Sequence, residues 1–222
     1  MKRLKPRLAV YDSWDSNIVT APYVRAGVEV ILIGNLAEAR SFDFNFLLLS
    51  GGADVNPIYY GESSIHAQVN EQSKLRDRIE WILLRRALGA RIPTLGICRG
   101  MQFLAIAAGA PLVQDLISLG YTDRNHRFGH HPIEFRNKRL EDITGSSQVN
   151  TFHHQGVANT PLGWETAATA DDGVIEAIFH PGFLGVQWHP ERPLNRGTWE
   201  MDRDSWSKLI QWHLAGFRRE RK

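Results

Sequence analysis

Three side chains that could work together stand far apart in this chain: one cysteine, Cys98, and a histidine–carboxylate pair, His189 and Glu191. A thiol becomes a nucleophile when a base holds it as thiolate, and the base in turn needs a group that orients it. Cys98 lies in Ile92-Pro93-Thr94-Leu95-Gly96-Ile97-Cys98-Arg99-Gly100-Met101-Gln102. Apolar residues lead in like a short buried strand, Gly96 and Gly100 flank the cysteine, and a helix-like apolar stretch over residues 101–108 leads out. This is the strand–turn–helix setting of a nucleophile elbow, with sulfur where a hydrolase would carry a serine. Glycines suit a strained turn and a close backbone approach. The alternative for a lone cysteine, which forms no intramolecular disulfide, is a buried small hydrophobe.

His189 ends the apolar run of Val186-Gln187-Trp188-His189-Pro190-Glu191, and Pro190 stiffens the backbone that follows. In an extended chain the Glu191 carboxylate returns beside the imidazole, where it would set the tautomer and stabilise the imidazolium. Taken alone, the histidine could equally cap a turn. Acyl transfer also needs donors for a developing oxyanion. The backbone N–H of Arg99, directly after the cysteine, is one. The Gly51-Gly52 turn is a candidate for a second, and a simple tight turn is its alternative. Phosphate binding at Gly51-Gly52 is discounted, because neither Gly-x-x-x-x-Gly-Lys-Ser/Thr nor Gly-x-Gly-x-x-Gly occurs. His153-His154 invites a metal reading, but neighbours in a strand point to opposite faces. His126, His130, His131 and His180 provide no His-Glu-x-x-His spacing either. No metal is therefore expected. One histidine of the pair should face a substrate pocket and the other should pack.

The elements that must position these groups can be read from periodicity. Residues 7–11, 28–33, 46–49 and 92–97 read as brief apolar strands, several of them stopped by glycine, as buried parallel strands are. Residues 17–26 suggest a short helix. Residues 74–88 suggest the clearest helix, with Leu75, Ile79, Ile82, Leu83 and Leu88 near a 3.6-residue period and Arg76, Asp77, Arg78, Glu80, Arg85 and Arg86 charged. After Gly109 the pattern becomes β-like, at 133–135, 164–169, 174–179 and 184–187, before a closing helix at 202–217. Alternating strands and helices followed by hairpin-like strands predict an α/β sandwich with a mixed sheet. Ligands of such sheets sit at the carboxyl ends of strands, where Gly51-Gly52, Cys98 and His189 all fall.

Bulk properties are those of an ordinary globular protein: 222 residues, 43% hydrophobic and 23% charged. They suit a single domain over 1–222 with a sizeable core. The net charge of +2, with basic ends that read as solvated tails, gives no argument for nucleic acid. No signal peptide or apolar run of bilayer-spanning length is seen, which excludes a membrane role. One unpaired cysteine suits a reducing cytoplasm.

Together the motifs resemble the class I glutamine amidotransferase superfamily, and within it the γ-glutamyl-γ-aminobutyrate hydrolase branch of the C26 peptidases. The resemblance is carried by residues 51–62 (GGADVNPIYYGE), by Arg76-Asp77-Arg78-Ile79-Glu80, and by residues 93–102 with Gln114-Asp115 behind them. It is completed by residues 149–155 (VNTFHHQ) paired with 186–191. It implies a three-layer, flavodoxin-like sandwich with a mostly parallel central sheet. It implies Cys98 as nucleophile, His189 as base, Glu191 as orienter, and an oxyanion hole from the backbone of Gly52 and Arg99. Gln102, His153, His154 and Gln155 would bind substrate. Gln102 stands where folate-type γ-glutamyl hydrolases tend to carry glutamate, which argues against that branch. Thr151 replaces a common serine and retains the hydroxyl. The implied activity is hydrolysis of a γ-glutamyl amide with no cofactor. The alternatives are a glutaminase subunit serving a partner synthetase, or an inactive binding protein of the same fold. Residues 116–143 match no pattern of the branch and are expected to help shape the pocket for the amine. Trp199, Trp206 and Trp212 suggest packing of the last helix, or a homodimer interface.

Overall fold

Short apolar runs become the centre of one sheet, and the computed structural model describes them within residues 5–13, 15–63, 66, 73–192 and 203–219. The first half runs β1 (Arg7–Tyr11), α1 (Ser16–Arg25), β2 (Glu29–Ile33), α2 (Leu36–Ser41), β3 (Phe46–Leu49), a 3-10 turn (Pro57–Tyr60), α3 (Lys74–Ala90), β4 (Thr94–Ile97) and α4 (Arg99–Ala107). The second half runs β5 (Leu112–Val113), β6 (His130–Phe135), α5 (Lys138–Thr144), β7 (Gln148–Asn150), β8 (Gly156–Val157), β9 (Glu165–Ala170), β10 (Ile175–His180), β11 (Phe183–Val186) and α6 (Arg203–Arg219).

Nine strands form one sheet in the order β2-β1-β3-β4-β11-β10-β9-β6-β7, and β5 pairs with β8 in a small ribbon. From β2 to β11 the neighbours are parallel, and from β11 to β7 they are antiparallel. The strand period of two sorts side chains to opposite faces. Leu8, Val10, Phe46 and Leu48 pack with residues of α1, α5 and α6, whereas Ala9, Leu47 and Leu49 pack with residues of α2, α3 and α4. Burial on both faces is why these strands are apolar throughout. The expected three-layer α/β sandwich with a mixed sheet is the observed architecture.

The expected strands and helices lie within a few residues of the observed ones. α2, α5 and the β5–β8 ribbon were not foreseen. Both unforeseen helices carry an asparagine cap: Asn35 Oδ1 accepts from Ala37 N and Glu38 N at 3.0 Å, and Asn137 Oδ1 from Leu140 N at 3.1 Å. Trp199, residue 202 at the start of the expected closing helix, and the extreme basic ends lie outside the described residues. No described helix is long and apolar enough to cross a membrane.

α6 docks through a buried aromatic cluster. Burial pushes the pKa of His213 down to about 4, so its ring is neutral. Its Nε2–H then donates to the Pro93 carbonyl at 2.9 Å, and its Nδ1 accepts from the Tyr23 hydroxyl at 2.7 Å. Tyr23 meets Trp206, which is 1% exposed, edge to face at 6.5 Å. Trp206→Ala should therefore destabilise the chain by about 3–5 kcal/mol, read as a lower urea midpoint with an unchanged slope.

Candidate active site

β4 ends at Ile97 and α4 begins at Arg99, so one residue must turn the chain. Cys98 does so at φ 50° and ψ −109°, and Arg91 is the other described non-glycine residue with positive φ. A side chain held there costs on the order of 1–3 kcal/mol and persists when its surroundings over-determine it. Cys98 N donates to Val186 O at 2.8 Å, and Cys98 O accepts from Gln102 N at 3.1 Å. A Cβ on Gly96 would lie 2.6 Å from the Gly100 carbonyl carbon, and one on Gly100 would run into the Leu49 carbonyl. Both flanking glycines are thus required by close backbone approach.

The distant His189 arrives by strand register. β11 lies parallel to β4 with Gly185 opposite Gly96 and Val186 opposite Ile97. The chain leaving Val186 therefore continues beside the elbow. His189 Nδ1 meets Glu191 Oε1 at 2.5 Å. Asn150 clamps the backbone on both sides, its Nδ2 donating to His189 O at 2.8 Å and its Oδ1 accepting from His189 N at 2.9 Å. The ring lies over Gly51, where a Cβ would come within 2.5 Å of His189 Cε1. Gly51 therefore holds the ring in place by lacking a side chain. Burial disfavours the imidazolium, but the negative charge and hydrogen bonds of Cys98 and Glu191 outweigh it and raise the His189 pKa to about 10. With Nδ1 held by Glu191, Nε2 is the nitrogen left for the cysteine. Cys98, His189 and Glu191 are all nearly buried, at 5%, 2% and 5% exposure.

The side chain of Arg99 has a role that sequence reasoning missed. Its backbone opens α4, where the N–H has no intrahelical acceptor. Its guanidinium turns inward and bonds Asp77 Oδ1 at 2.5 Å and Glu80 Oε2. Arg76 Nε bonds Glu80 Oε1 at 3.0 Å, and Arg76 Nη2 bonds Ser50 O at 2.8 Å and Ser50 Oγ at 3.2 Å. Arg76, Asp77, Glu80 and Arg99 are all buried, although the first three read in the sequence as part of a charged helix face. Burial works against ionised Glu80, but Arg76 and Arg99 outweigh it and lower its pKa. For Asp77 burial wins and the pKa rises despite Arg99. The available signal was one cation and two anions, Arg76, Asp77 and Glu80, at helical spacing, with an arginine directly after the cysteine. Gly52, at φ 148°, sits against the Arg76 guanidinium, so a side chain there is excluded both by conformation and by space.

The other expected site residues divide. Gln102 is buried, and its Nε2 donates to Gln155 O at 3.1 Å and to Gln187 Oε1 at 3.3 Å. Gln155 Nε2 reaches Gln114 O at 3.4 Å, and its Oε1 is buried with no hydrogen-bond partner among the described residues. His154 bridges two acids, Nδ1 to Asp115 Oδ2 and Nε2 to Asp54 Oδ2, each at 3.1 Å. Burial opposes ionisation of Asp115, yet hydrogen bonds from Ser118 and His154 hold its carboxyl down to about 2. His153 turns away from this group, toward Glu176. The expectation that the two histidines alternate within a strand is corrected, because both follow β7 in irregular chain. In residues 116–143, Arg124 and Arg127 are engaged with Asp171 and Asp115, and His126 and His131 also face Glu176. A cleft between Pro93, His180 and Trp212 lies at the opposite end of β4 from Cys98.

A profile of the peptidase C26 family matches residues 24–191. The chain belongs to the peptidase C26 family. Over 206 residues, 86% of this chain and 81% of the relative, it is 31% identical to a Schizosaccharomyces pombe protein named as a candidate glutamine amidotransferase. It is 29% identical to the gamma-glutamyl-gamma-aminobutyrate hydrolase of Escherichia coli O157:H7, over 63% of this chain and 60% of that enzyme. The solved structure of a candidate GMP synthase component from Thermoplasma acidophilum superposes with a TM-score of 0.69 at 19% identity, covering 99% of this chain and 97% of that one. That likeness shows the fold. This C26 chain is thus a glutamine amidotransferase-like hydrolase in fold and family.

Two outcomes follow from the geometry. His189 carries a pKa raised to about 10, above its ordinary value of about 6.5. Its contribution to stability is therefore fully present below about pH 6.5 and is lost as the pH climbs through about 10. An NMR titration of the His189 ring should show imidazolium at neutral pH, with a lower midpoint in Glu191→Gln. Separately, Glu80→Gln leaves Arg76 and Arg99 buried with one anion fewer and should cost about 3–5 kcal/mol in urea unfolding.

Proposed function

We propose that this C26 chain hydrolyses a γ-glutamyl amide through a γ-glutamyl thioester on Cys98. The observation that carries the reading is His189 placed between Glu191 and a cysteine held on a strained turn. For attack Cys98 must be a thiolate, with its proton held on His189. The sulfur attacks the γ-carbonyl carbon, and the backbone N–H groups of Arg99 and Gly52 receive the oxyanion. A single such donor is worth roughly 10²–10³ in rate. As the tetrahedral intermediate collapses, the C–N bond breaks and His189 gives its proton to the departing amine. Glu191 holds the ring so that this proton points at the leaving group. A water then attacks the thioester, with neutral His189 taking its proton. The C–S bond breaks, glutamate leaves, and the thiolate–imidazolium pair is restored.

Gln102 and Gln155 are assigned to the γ-glutamyl group, and His154, both of whose ring nitrogens are taken by Asp115 and Asp54, is assigned to holding those acids beside it. Because both hydrogens of the Gln102 amide are committed to Gln155 and Gln187, its contact with substrate would be through the carbonyl oxygen. His153 is left out of this assignment, since it faces Glu176. A reduced thiol is essential to the chemistry, which suits a cytoplasmic compartment.

A second reading draws on the glutamine amidotransferase name of the fission-yeast relative. The same thioester would then form from glutamine, and ammonia would pass to a partner synthetase. A panel of γ-glutamyl amines, with glutamine as one member, separates the two by the product formed. Hydrolysis predicts glutamate release from one or more γ-glutamyl amines without any partner, with glutamine a poorer substrate. Ammonia release from glutamine that depends on a partner chain supports the second reading. Cys98→Ala should lower either activity by roughly 10³-fold or more. Turnover by Cys98→Ala at the wild-type rate contradicts both.

A further inference from the structure

Away from Cys98, four buried side chains from four separate parts of the chain turn their polar atoms toward one point. They are His126, before β6; His131, on β6; His153, after β7; and Glu176, on β10. Their exposures are 2%, 2%, 5% and 0%. His126 Nδ1, His131 Nε2 and His153 Nε2 lie 3.6, 3.5 and 3.4 Å from the same atom, Glu176 Oε1. The ligating atoms of all four residues lie within 4.8 Å of one another.

The outer nitrogens fix the tautomers. His131 Nδ1 is 3.0 Å from the Pro132 carbonyl and His153 Nδ1 is 2.9 Å from the Gln155 carbonyl. A carbonyl accepts only, so both Nδ1 atoms carry hydrogen, and in the neutral rings that a metal requires both inward Nε2 atoms present lone pairs. His126 Nε2 is 2.9 Å from Asp172 Oδ2, which likewise leaves its Nδ1 as the inward lone pair. The Thr151 hydroxyl, 3.3 Å from His126 Nδ1, donates its hydrogen to the His126 carbonyl at 2.7 Å and has none left for the ring. With the rings neutral, three lone pairs and a carboxylate face one another in a buried interior. His131 Nε2, His153 Nε2 and both Glu176 oxygens have no hydrogen-bond partner among the described residues. Buried polar groups without partners are costly, and a cluster of acceptors calls for a cation at its centre.

We propose that His126, His131, His153 and Glu176 form a structural site for one zinc ion. Three imidazole nitrogens and a carboxylate oxygen are a zinc donor set, and four buried protein ligands leave no open position, as in structural sites. Bond lengths of about 2.0–2.2 Å place tetrahedral ligands about 3.3–3.6 Å apart; the three nitrogen–oxygen separations match this, and with all separations within 4.8 Å the rings need only draw inward to close the site. Calcium and magnesium are disfavoured because they require oxygen ligands. The outer acceptors, Asp172 and the two carbonyls, are the partners that metal-bound histidines use to hold their orientation. The ion would tie the antiparallel half of the sheet to the segment that serves the candidate active site. His153 lies between Phe152, whose ring meets His189 at 5.8 Å, and Gln155, whose carbonyl holds Gln102. The Glu176 carbonyl accepts from Gln187 N at 2.8 Å, two residues before His189.

The test uses the full chain. It is purified from zinc-supplemented cells and analysed for metal, then stripped with dipicolinate and reloaded with zinc chloride or cobalt chloride. The proposal predicts one zinc per chain, a melting temperature that falls on stripping and returns with zinc, and the visible ligand-field absorption of four-coordinate cobalt. Cys98→Ala should retain the ion and give the same cobalt spectrum, so the result is independent of the catalytic reading. His153→Gln and Glu176→Gln should each weaken zinc by at least roughly 100-fold, the upper end of what loss of an outer-shell partner costs. If these variants do not fold, the wild-type cobalt spectrum and melting shift decide. A stripped wild-type chain with no visible cobalt band and a melting temperature indifferent to zinc overturns the proposal. So does a band that survives unchanged in both His153→Gln and Glu176→Gln, or that requires Cys98, because the ion is then held elsewhere.

Discussion

The reversal of the chain at one residue, Cys98, constrains everything around it. A strand and a helix separated by a single non-glycine residue at positive φ must be held together from all sides. β11 holds the backbone through Val186 O, and Leu49 of β3 packs against Gly100. The same neighbours bring in the chemistry. The strand that braces the turn is the one that leads into His189, and the strand on its other side leads into Ser50-Gly51-Gly52. The three segments meet because they leave the carboxyl ends of adjacent parallel strands.

The buried ion cluster is the second layer of this support. Arg99 joins the elbow to α3 through Asp77 and Glu80, and Arg76 joins α3 to Ser50. Buried ion pairs seldom stabilise a protein more than well-packed apolar residues would. What this one supplies is directional: each guanidinium bridges two partners, Arg99 to Asp77 and Glu80 and Arg76 to Glu80 and Ser50, and so fixes the start of α4 and the turn at Gly52 relative to each other. Those are the two places where backbone N–H groups are assigned to the oxyanion. Gly51 completes the arrangement by leaving the space that the His189 ring fills.

Much of this was legible in the sequence because it depends on local pattern. The elbow, the histidine–proline–glutamate segment and the apolar parallel strands are short-range signals, and their observed positions agree with the reading. What was not legible depends on long-range packing. The charges of α3 read only as the charged face of a helix, since nothing local shows that Arg99 would reach them. His126, His131, His153 and Glu176 have no recognisable spacing, because β6, β9 and β10 bring them together only across the sheet. His153 and His154 do diverge as expected, but through an irregular segment rather than a strand. β6 and most of α5 occupy residues 116–143, which carried no family pattern, and Asn137 at the α5 cap was the local clue.

The central claim is that Cys98 carries the acyl group, and intact-protein mass spectrometry tests it most directly. The enzyme would be mixed with a γ-glutamyl amine and quenched in acid within the first turnovers. The account predicts a species heavier by one glutamyl group, localised to the Cys98 peptide, discharged by hydroxylamine and absent from Cys98→Ala. Active enzyme that turns the substrate over with no adduct under single-turnover conditions, or with an adduct on another residue, would contradict it.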